Sequence, residues 1–452
     1  MSHPSLYLAA LVLYLAWGTT PLAPRTDAAA TKGPFDVGFR VEAVRDRSRT
    51  LGPATDFEGR RHLESREWPV QVSVWYPSHR AVGPVMSDGE YRAWHGVRET
   101  LGTPGAPERG QAASDLLSLM TAADIPGGPE DARLAMDARG VAVADAPPAP
   151  GPHPLVVGGL GSAGIAWPLA ERLASHGYVV ATAATLGRTA SDEATRPQVA
   201  LETRARTLEF VIAHVLSTRE VDAERIGLVG VNFDGAAALL SQSRMMRARA
   251  VVSIDGREGK PGGGDLLDKA TGFDVVRLRV PYMTVQWDEP TLPALDAALF
   301  ERMVYAPRDW LIFRGLRHAH LVGNVASVPT LPGAQRQAIG RMHALVQSFL
   351  DTHVRGIVAS PPPIEPALLA ATRHLDALPA APTREELEEL LWNTGDVLRG
   401  LEIVRQAQAR QPGLVLLDAA TARLYAFRHE AAGRPDKAAP LRRYAEETAE
   451  AR

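Results

Sequence analysis

Apolar and polar residues alternate along VGFRVEAV (37–44) and PVQVSVWYP (69–77), the period-two pattern of strands with one buried face, and these predict an antiparallel opening. Further on the pattern changes. PLVVGG (154–159), YVVATA (178–183), RIGLVG (225–230), ARAVVSI (249–254), PYMTVQW (281–287) and WLIFRG (310–315) are apolar throughout, as strands buried on both faces are. Between them lie the amphipathic run IAWPLAERLASHG (165–177), which closes on a glycine, a helical stretch at 204–217 and another starting near Phe233. Strands alternating with helices predict an α/β domain with a mostly parallel sheet.

Two regions fall outside that alternation. Residues 78–150 carry two helical patterns among many Gly and Pro residues, and an insertion of this length in such a sheet is a candidate cap over a ligand crevice. PPPIEP (361–366) reads as a linker, and the chain beyond it is expected to be helical throughout. There, Gly395, Gly400, Val404, Ala407 and Pro412 follow the spacing of the second helix of a tetratricopeptide repeat with its closing proline. A poorer copy runs through Gly433, Ala438 and Ala445. Two such units cannot bury a core alone, so this piece should dock on the main domain or on another chain. Plain helical hairpins without a peptide groove would give the same spacing.

Composition narrows the chemistry. Among 452 residues, 49 Lys plus Arg against 52 Asp plus Glu give a net charge of -3, which offers no basic field for nucleic acid. The absence of cysteine excludes disulfides, thiolate metal sites and a cysteine nucleophile. The pairs His318 with His320 and His343 with His353 lack matching carboxylates and no HExxH occurs, so no metal or other cofactor is expected. LYLAALVLYLAW (6–17) is too short to span a bilayer, which takes about 20 residues, and small residues at Ala28 and Ala30 follow it. Residues 1–30 therefore read as a signal peptide, although MSHPS lacks the usual basic residue, and the mature chain is expected to be secreted or periplasmic with no transmembrane segment.

The most informative stretch is RIGLVGVNFDGAAALL (225–240). A strand ending in Gly230, a tight turn at 232 and a small-residue helix from Gly235 form the layout of a nucleophile elbow, in which G-x-S-x-G holds a serine on a strained turn. Position 232 is asparagine, and Asp234 stands where the second glycine belongs.

With GPFDVGF, VSVWYP, GGLGS, LASHGYVVA, IGLVGVNFDGAA, VVSIDG and FRGLRHAH in that order over 33–350, the chain resembles the secreted platelet-activating-factor acetylhydrolases and their bacterial dienelactone-hydrolase-like relatives. The resemblance implies an α/β-hydrolase fold over 31–360, with the helical region 361–452 like an appendage some bacterial members carry. It also implies roles. Asn232 occupies the nucleophile position, and Asp255, 23 positions on, matches the family's acid, with Asp288 after the next strand as the alternative. His318 in G-x-x-H context matches the base, with His320 as the alternative, and the backbone N–H groups of Leu160 and Phe233 match the oxyanion donors. The alternative for each is a loop polar group satisfied by turn hydrogen bonds, and two candidates in the family's order outweigh it.

Asparagine cannot serve as the triad nucleophile, because its amide nitrogen is delocalised and its oxygen attacks poorly. Asp234 is expected to add negative charge near a forming oxyanion, and Val231 replaces the family's histidine. These changes point to an exported acetylhydrolase-type protein with impaired catalysis that is expected to retain an ester-like or lipid-like ligand in its cleft. Two other readings stay open at this level. One is an active carboxylic ester hydrolase using Asp234 or Ser162, and the other is an interaction protein acting on a partner through its C-terminal helices.

Overall fold

The computed structural model describes residues 32–51, 55, 58–60, 67–122, 124–159, 163–184, 186, 195–217, 221–288, 294–322, 325–358, 364–379, 382–410 and 414–450. The apolar N-terminal run, Leu160 and Ser162 lie outside them.

The strands are β1 (Asp36–Thr50), β2 (Glu67–Ser78), β3 (Val85–Ser87), β4 (Arg139–Ala144), β5 (His153–Gly159), β6 (Val179–Ala183), β7 (Val221–Val231), β8 (Ala250–Ile254), β9 (Tyr282–Trp287), β10 (Arg308–Phe313) and β11 (Leu369–Leu375). They form one sheet in the order β11-β10-β9-β8-β7-β5-β6-β2-β1-β4-β3. From β6 to β10 neighbouring strands run parallel, and β1 with β2 forms the expected antiparallel opening, although β2 lies between β1 and β6 and is buried on both faces from Pro69 to Ser78 rather than on one. β5, β6, β8 and β9 are buried along their whole length, which is why they read as unbroken apolar runs.

The helices are α1 (Asp88–Gly96), α2 (Ala106–Ala122), α3 (Pro129–Met136), α4 (Ala163–Ser175), α5 (Pro197–Leu216), α6 (Phe233–Met245), α7 (Gly263–Asp268), α8 (Ala298–Arg302), α9 (His318–Val322), α10 (Gly333–Leu350), α11 (Arg384–Glu388), α12 (Val397–Arg410), α13 (Ala419–Ala431) and α14 (Pro435–Glu450). None of the described helices is long and apolar enough to cross a membrane. Two apolar cores lie on the two faces of the sheet. One joins Val156, Val180 and Val229 to Leu173 of α4 and Met342 of α10, and the other joins Leu155, Leu228 and Val251 to Leu201 and Leu208 of α5 and Leu239 of α6. Each fully buried Val or Leu contributes about 1.5–3 kcal/mol, so the central strands are held from both sides.

The region 78–150 does more than cover the molecule. It supplies β3 and β4, and β4 pairs with β1, so part of the insertion is built into the sheet edge. α1 opens on a capping box from Ser87 and Glu90 and packs against α4. Trp167 of α4 donates to Asp88 at 2.7 Å, Tyr91 donates to Glu171 of α4 at 2.8 Å, and Arg92 pairs with Asp88 at 2.5 Å. Glu171 also accepts the backbone N–H groups of Val141 and Ala142. Fully buried, its carboxyl is pushed up to about 7, because desolvation outweighs those donors.

The region after the linker differs from the expectation of helix throughout. Residues 369–375 form β11, an antiparallel edge strand on β10, because the chain leaving α10 passes along the open sheet edge before turning away. Helix begins only at α11. From there two helical hairpins share a core of Leu387, Leu391, Leu401, Val404, Tyr425, Leu441 and Tyr444. Gly395, with φ +67°, turns the chain between the first two helical segments, and Gly400 meets Leu391, where a Cβ would come within 2.6 Å of its side chain. The hairpins dock on the main domain through Ala407, which packs with Tyr305 and Val276, and through the Arg277–Glu385 pair at 2.9 Å.

Candidate active site

The site is built where β7, β8 and β5 end side by side. Gly159 pairs with Gly230, and Val231 pairs with Ile254, so the chain after each strand emerges at the same edge. Asn232 caps α6 with φ 56° and ψ -122°, a conformation that non-glycine residues adopt only under constraint. Its constraint is visible. The Asn232 N–H donates to the Ile254 carbonyl at 3.0 Å, and its own carbonyl accepts from Gly235 and Arg257, both at 3.0 Å. The tight approach explains the flanking glycines: a Cβ on Gly230 would sit 2.2 Å from the Asp234 carbonyl oxygen, and one on Gly235 would sit 2.2 Å from the Ser253 hydroxyl. The elbow is therefore present in shape, with a half-buried carboxamide at its apex that has no hydrogen-bond partner among the described residues.

One residue beyond β8, Asp255 is also held at positive φ, 53°, with its N–H on the Val285 carbonyl at 2.7 Å. Its side chain is buried and its Oδ2 is hydrogen-bonded to Nδ1 of His318. With Nδ1 carrying the proton toward the carboxylate, the lone pair of the ring is on Nε2, the arrangement a general base needs. The imidazole is 39% exposed, so it faces the solvent side of the site. The alternatives take other positions. Asp288 is exposed beyond β9, with its N–H on the Phe313 carbonyl at 3.0 Å, and His320 is buried and accepts the Arg317 N–H through its Nδ1 at 3.1 Å. Of the four, Asp255 and His318 are the pair brought together.

Phe233 is the first residue of α6, so its N–H belongs to the group of helix-start donors without an intrahelical acceptor. Leu160, the other expected donor, follows Gly159 outside the described residues, as does Ser162.

Asp234 differs from the sequence expectation. Its carboxylate is buried and pairs with Arg204 of α5 at 2.8 Å, and Arg204 also lies over the Phe233 ring at 5.8 Å. Burial pushes this carboxyl up from its ordinary value while Arg204 pulls it down. A nearby guanidinium offsets the charge, so the expected opposition to an oxyanion is largely cancelled. Gly159 makes room for it, since a Cβ there would come 2.3 Å from that of Asp234. Locked in this pair, Asp234 is no candidate nucleophile.

Two charged neighbours of the acid escaped the sequence reading. Lys260 places its ammonium 2.8 Å from Oδ1 of Asp255, as an ion pair outside aligned hydrogen-bond geometry, and is only 17% exposed. Glu258, fully buried under the acid turn, accepts from Ser253 and from Tyr282 at 2.9 Å, and desolvation raises its pKa. Both lie within five residues of Asp255 in IDGREGKP, and charged residues straight after a buried strand are the signal that could have found them. The insertion reaches this site too: Asp124, just after α2, pairs with Arg317, the residue before His318.

No family model matches the chain, and no curated protein matches it. Among solved structures, a ferulic acid esterase from Streptomyces cinnamoneus is similar over 77% of this chain and 99% of its own, at 21% identity and a TM-score of 0.50. Likeness at that identity concerns the fold. Together with the sheet order and the elbow, it shows an α/β-hydrolase fold with a helical C-terminal region.

Proposed function

We propose that this chain is an acetylhydrolase-type α/β-hydrolase whose acid and histidine persist while the nucleophile is lost, leaving a cleft that holds an ester-like or lipid-like ligand without turning it over efficiently. The observation that carries this reading is the strained Asn232 apex beside a formed Asp255–His318 pair. Strain of this kind costs about 1–3 kcal/mol, and an idle loop would relax it. Asparagine at the apex offers no hydroxyl for His318 to deprotonate, while the oxyanion donor at Phe233 and the base remain able to polarise and orient a carbonyl.

The test is Asn232→Ser. Serine is smaller than asparagine, so it fits without displacing neighbours. The variant should gain hydrolysis of p-nitrophenyl acetate by about 10²–10⁴-fold over the wild type, the range a positioned base contributes, and should become labelled by fluorophosphonate. Strong, phosphonate-sensitive turnover by the wild-type chain would refute the reading. The apolar run at 6–17 with Ala28 and Ala30 supports export as part of the same proposal, and mass spectrometry finding an intact Met1 on cytoplasmic protein would count against it.

A further inference from the structure

The torsion at the elbow has a chemical consequence for asparagine that it would not have for serine. We infer that Asn232 is a self-modification site, converted to aspartate through a cyclic imide closed by the backbone nitrogen of Phe233. A five-membered imide contains Cα, Cβ and Cγ of the asparagine, its carbonyl carbon, and the nitrogen of the next residue, so Cβ and that nitrogen must eclipse across the Cα–C bond. Cβ is offset from the backbone nitrogen by about 120° around this bond, so eclipsing requires ψ of about -120°. Asn232 has ψ -122°. Most asparagines must leave a helix or strand conformation to reach that value, whereas the elbow holds this one there already, so the conformational part of the barrier has been met by the fold.

Three further features agree. The carboxamide has no hydrogen-bond partner among the described residues, so no such bond holds it away from the ring-closing rotamer. The Phe233 N–H starts α6, where no intrahelical acceptor holds its proton and the positive end of the helix dipole favours the nitrogen anion. Finally, the Asn232 carbonyl oxygen is held by Gly235 and Arg257 N–H groups at 3.0 Å each. In the reaction the Phe233 nitrogen loses its proton and bonds to Cγ, the Cγ–Nδ2 bond breaks, and ammonia leaves with that proton. Water then opens the imide. Opening at Cγ restores the normal backbone with a carboxylate side chain. Opening at the backbone carbonyl carbon would insert an extra backbone atom and break both bonds to the carbonyl, so the fold favours aspartate over isoaspartate. The net change is loss of ammonia and gain of water. The product sets a carboxylate at the elbow apex, whose backbone is bonded to the turn that carries Asp255, and carboxylates serve as covalent nucleophiles.

The inference stands on the torsion at 232 and not on hydrolase ancestry, so a silent Asn232→Ser variant would leave it untouched. The test follows the wild-type full-length chain at mildly alkaline pH in H₂¹⁸O, with the tryptic peptide Ile226–Arg244 read by tandem mass spectrometry. Its reference is the same chain unfolded in urea in the same buffer. Asn232 in the folded chain should convert about tenfold faster or more than in the unfolded chain, with ¹⁸O in the new carboxylate and a transient imide lighter by one ammonia. Two controls lie in the same sample. Gln242, in the same peptide, and Asn393, a helical residue whose amide donates to Glu389 at 2.6 Å, should remain unchanged in the folded chain. A folded-state rate at Asn232 within a few fold of the unfolded rate, or below it, overturns the inference, as does conversion confined to isoaspartate.

Discussion

The two turns that follow β7 and β8 share a positive φ and differ in the side chain it carries. Each places a non-glycine residue at positive φ, Asn232 at 56° and Asp255 at 53°, and backbone hydrogen bonds tie the first turn to the second. At Asp255 the strained position carries a group that can act, since its carboxylate meets His318. At Asn232 the same kind of position carries a group that cannot attack. Geometry and chemistry are thus separable in this fold: the turn is maintained by glycines and backbone bonds that do not consult the apex side chain.

The sharpest way to break this contrast is to restore the nucleophile and then remove the acid. In the Asn232→Ser background, Asp255→Asn should abolish the gained esterase activity, a loss of up to about 10⁴-fold when the imidazole is left in the wrong tautomer. Asp288→Asn should leave the rate unchanged. Steady-state kinetics with p-nitrophenyl acetate decides between them, and the reverse pattern would move the acid to the next strand.

Asp234 tests how far the elbow helix depends on its buried charge pair. Sequence alone suggests that Asp234→Gly should help catalysis, but the buried pair with Arg204 reverses the expectation. Removing the carboxylate takes a charge partner from the buried Arg204 guanidinium and should cost up to about 3–5 kcal/mol, seen as a lower urea midpoint. Removing both, in Asp234→Gly with Arg204→Met, should recover most of that loss, and equal loss in the double variant would refute the pairing.

Glu171 sharpens the comparison from the insertion side. Its folded pKa of about 7 lies above the ordinary 4.5, so the folded chain binds more protons than the unfolded chain between these values. Stability attributable to this group is full below pH 4.5 and is lost as pH rises toward 7, by about 3 kcal/mol. Denaturation midpoints measured from pH 5 to 8 should fall for the wild type more steeply than for Glu171→Gln, and parallel curves would contradict the assignment.

The smallest effect concerns Lys260. Its ammonium sits on Oδ1 of Asp255, the carboxylate oxygen that His318 does not use. In the Asn232→Ser background, Lys260→Met should lower kcat by about a few fold with KM little changed, because the acid that orients the imidazole is held less firmly, and Lys260→Arg should stay close to the parent. A kcat equal to the parent's in Lys260→Met would show that the acid keeps its place without the ion pair.

Much of the site was legible because its determinants are local. The elbow is a strand, a tight turn and a small-residue helix within one short segment, and the glycines at 230 and 235 mark where backbones approach. Asp255 was expected from the resemblance, in which the acid follows the strand after the elbow helix, and Asp288 after the next strand was its rival. His318 was found through its G-x-x-H context and the resemblance, since nothing local ties residue 318 to residue 255.

What the sequence determined by itself was the order of strands and helices, the buried character of the central sheet and the absence of a hydroxyl at position 232, because periodicity and residue chemistry are properties of neighbours along the chain. What only the tertiary structure decided was which long-range partners meet. Arg204 on α5 neutralises Asp234 from thirty positions away, as 234 minus 204, and β11 joins the sheet because β10 presents an unpaired edge. Charge pairing and edge pairing depend on distances in space, and those are set only when the two faces of the sheet have been covered.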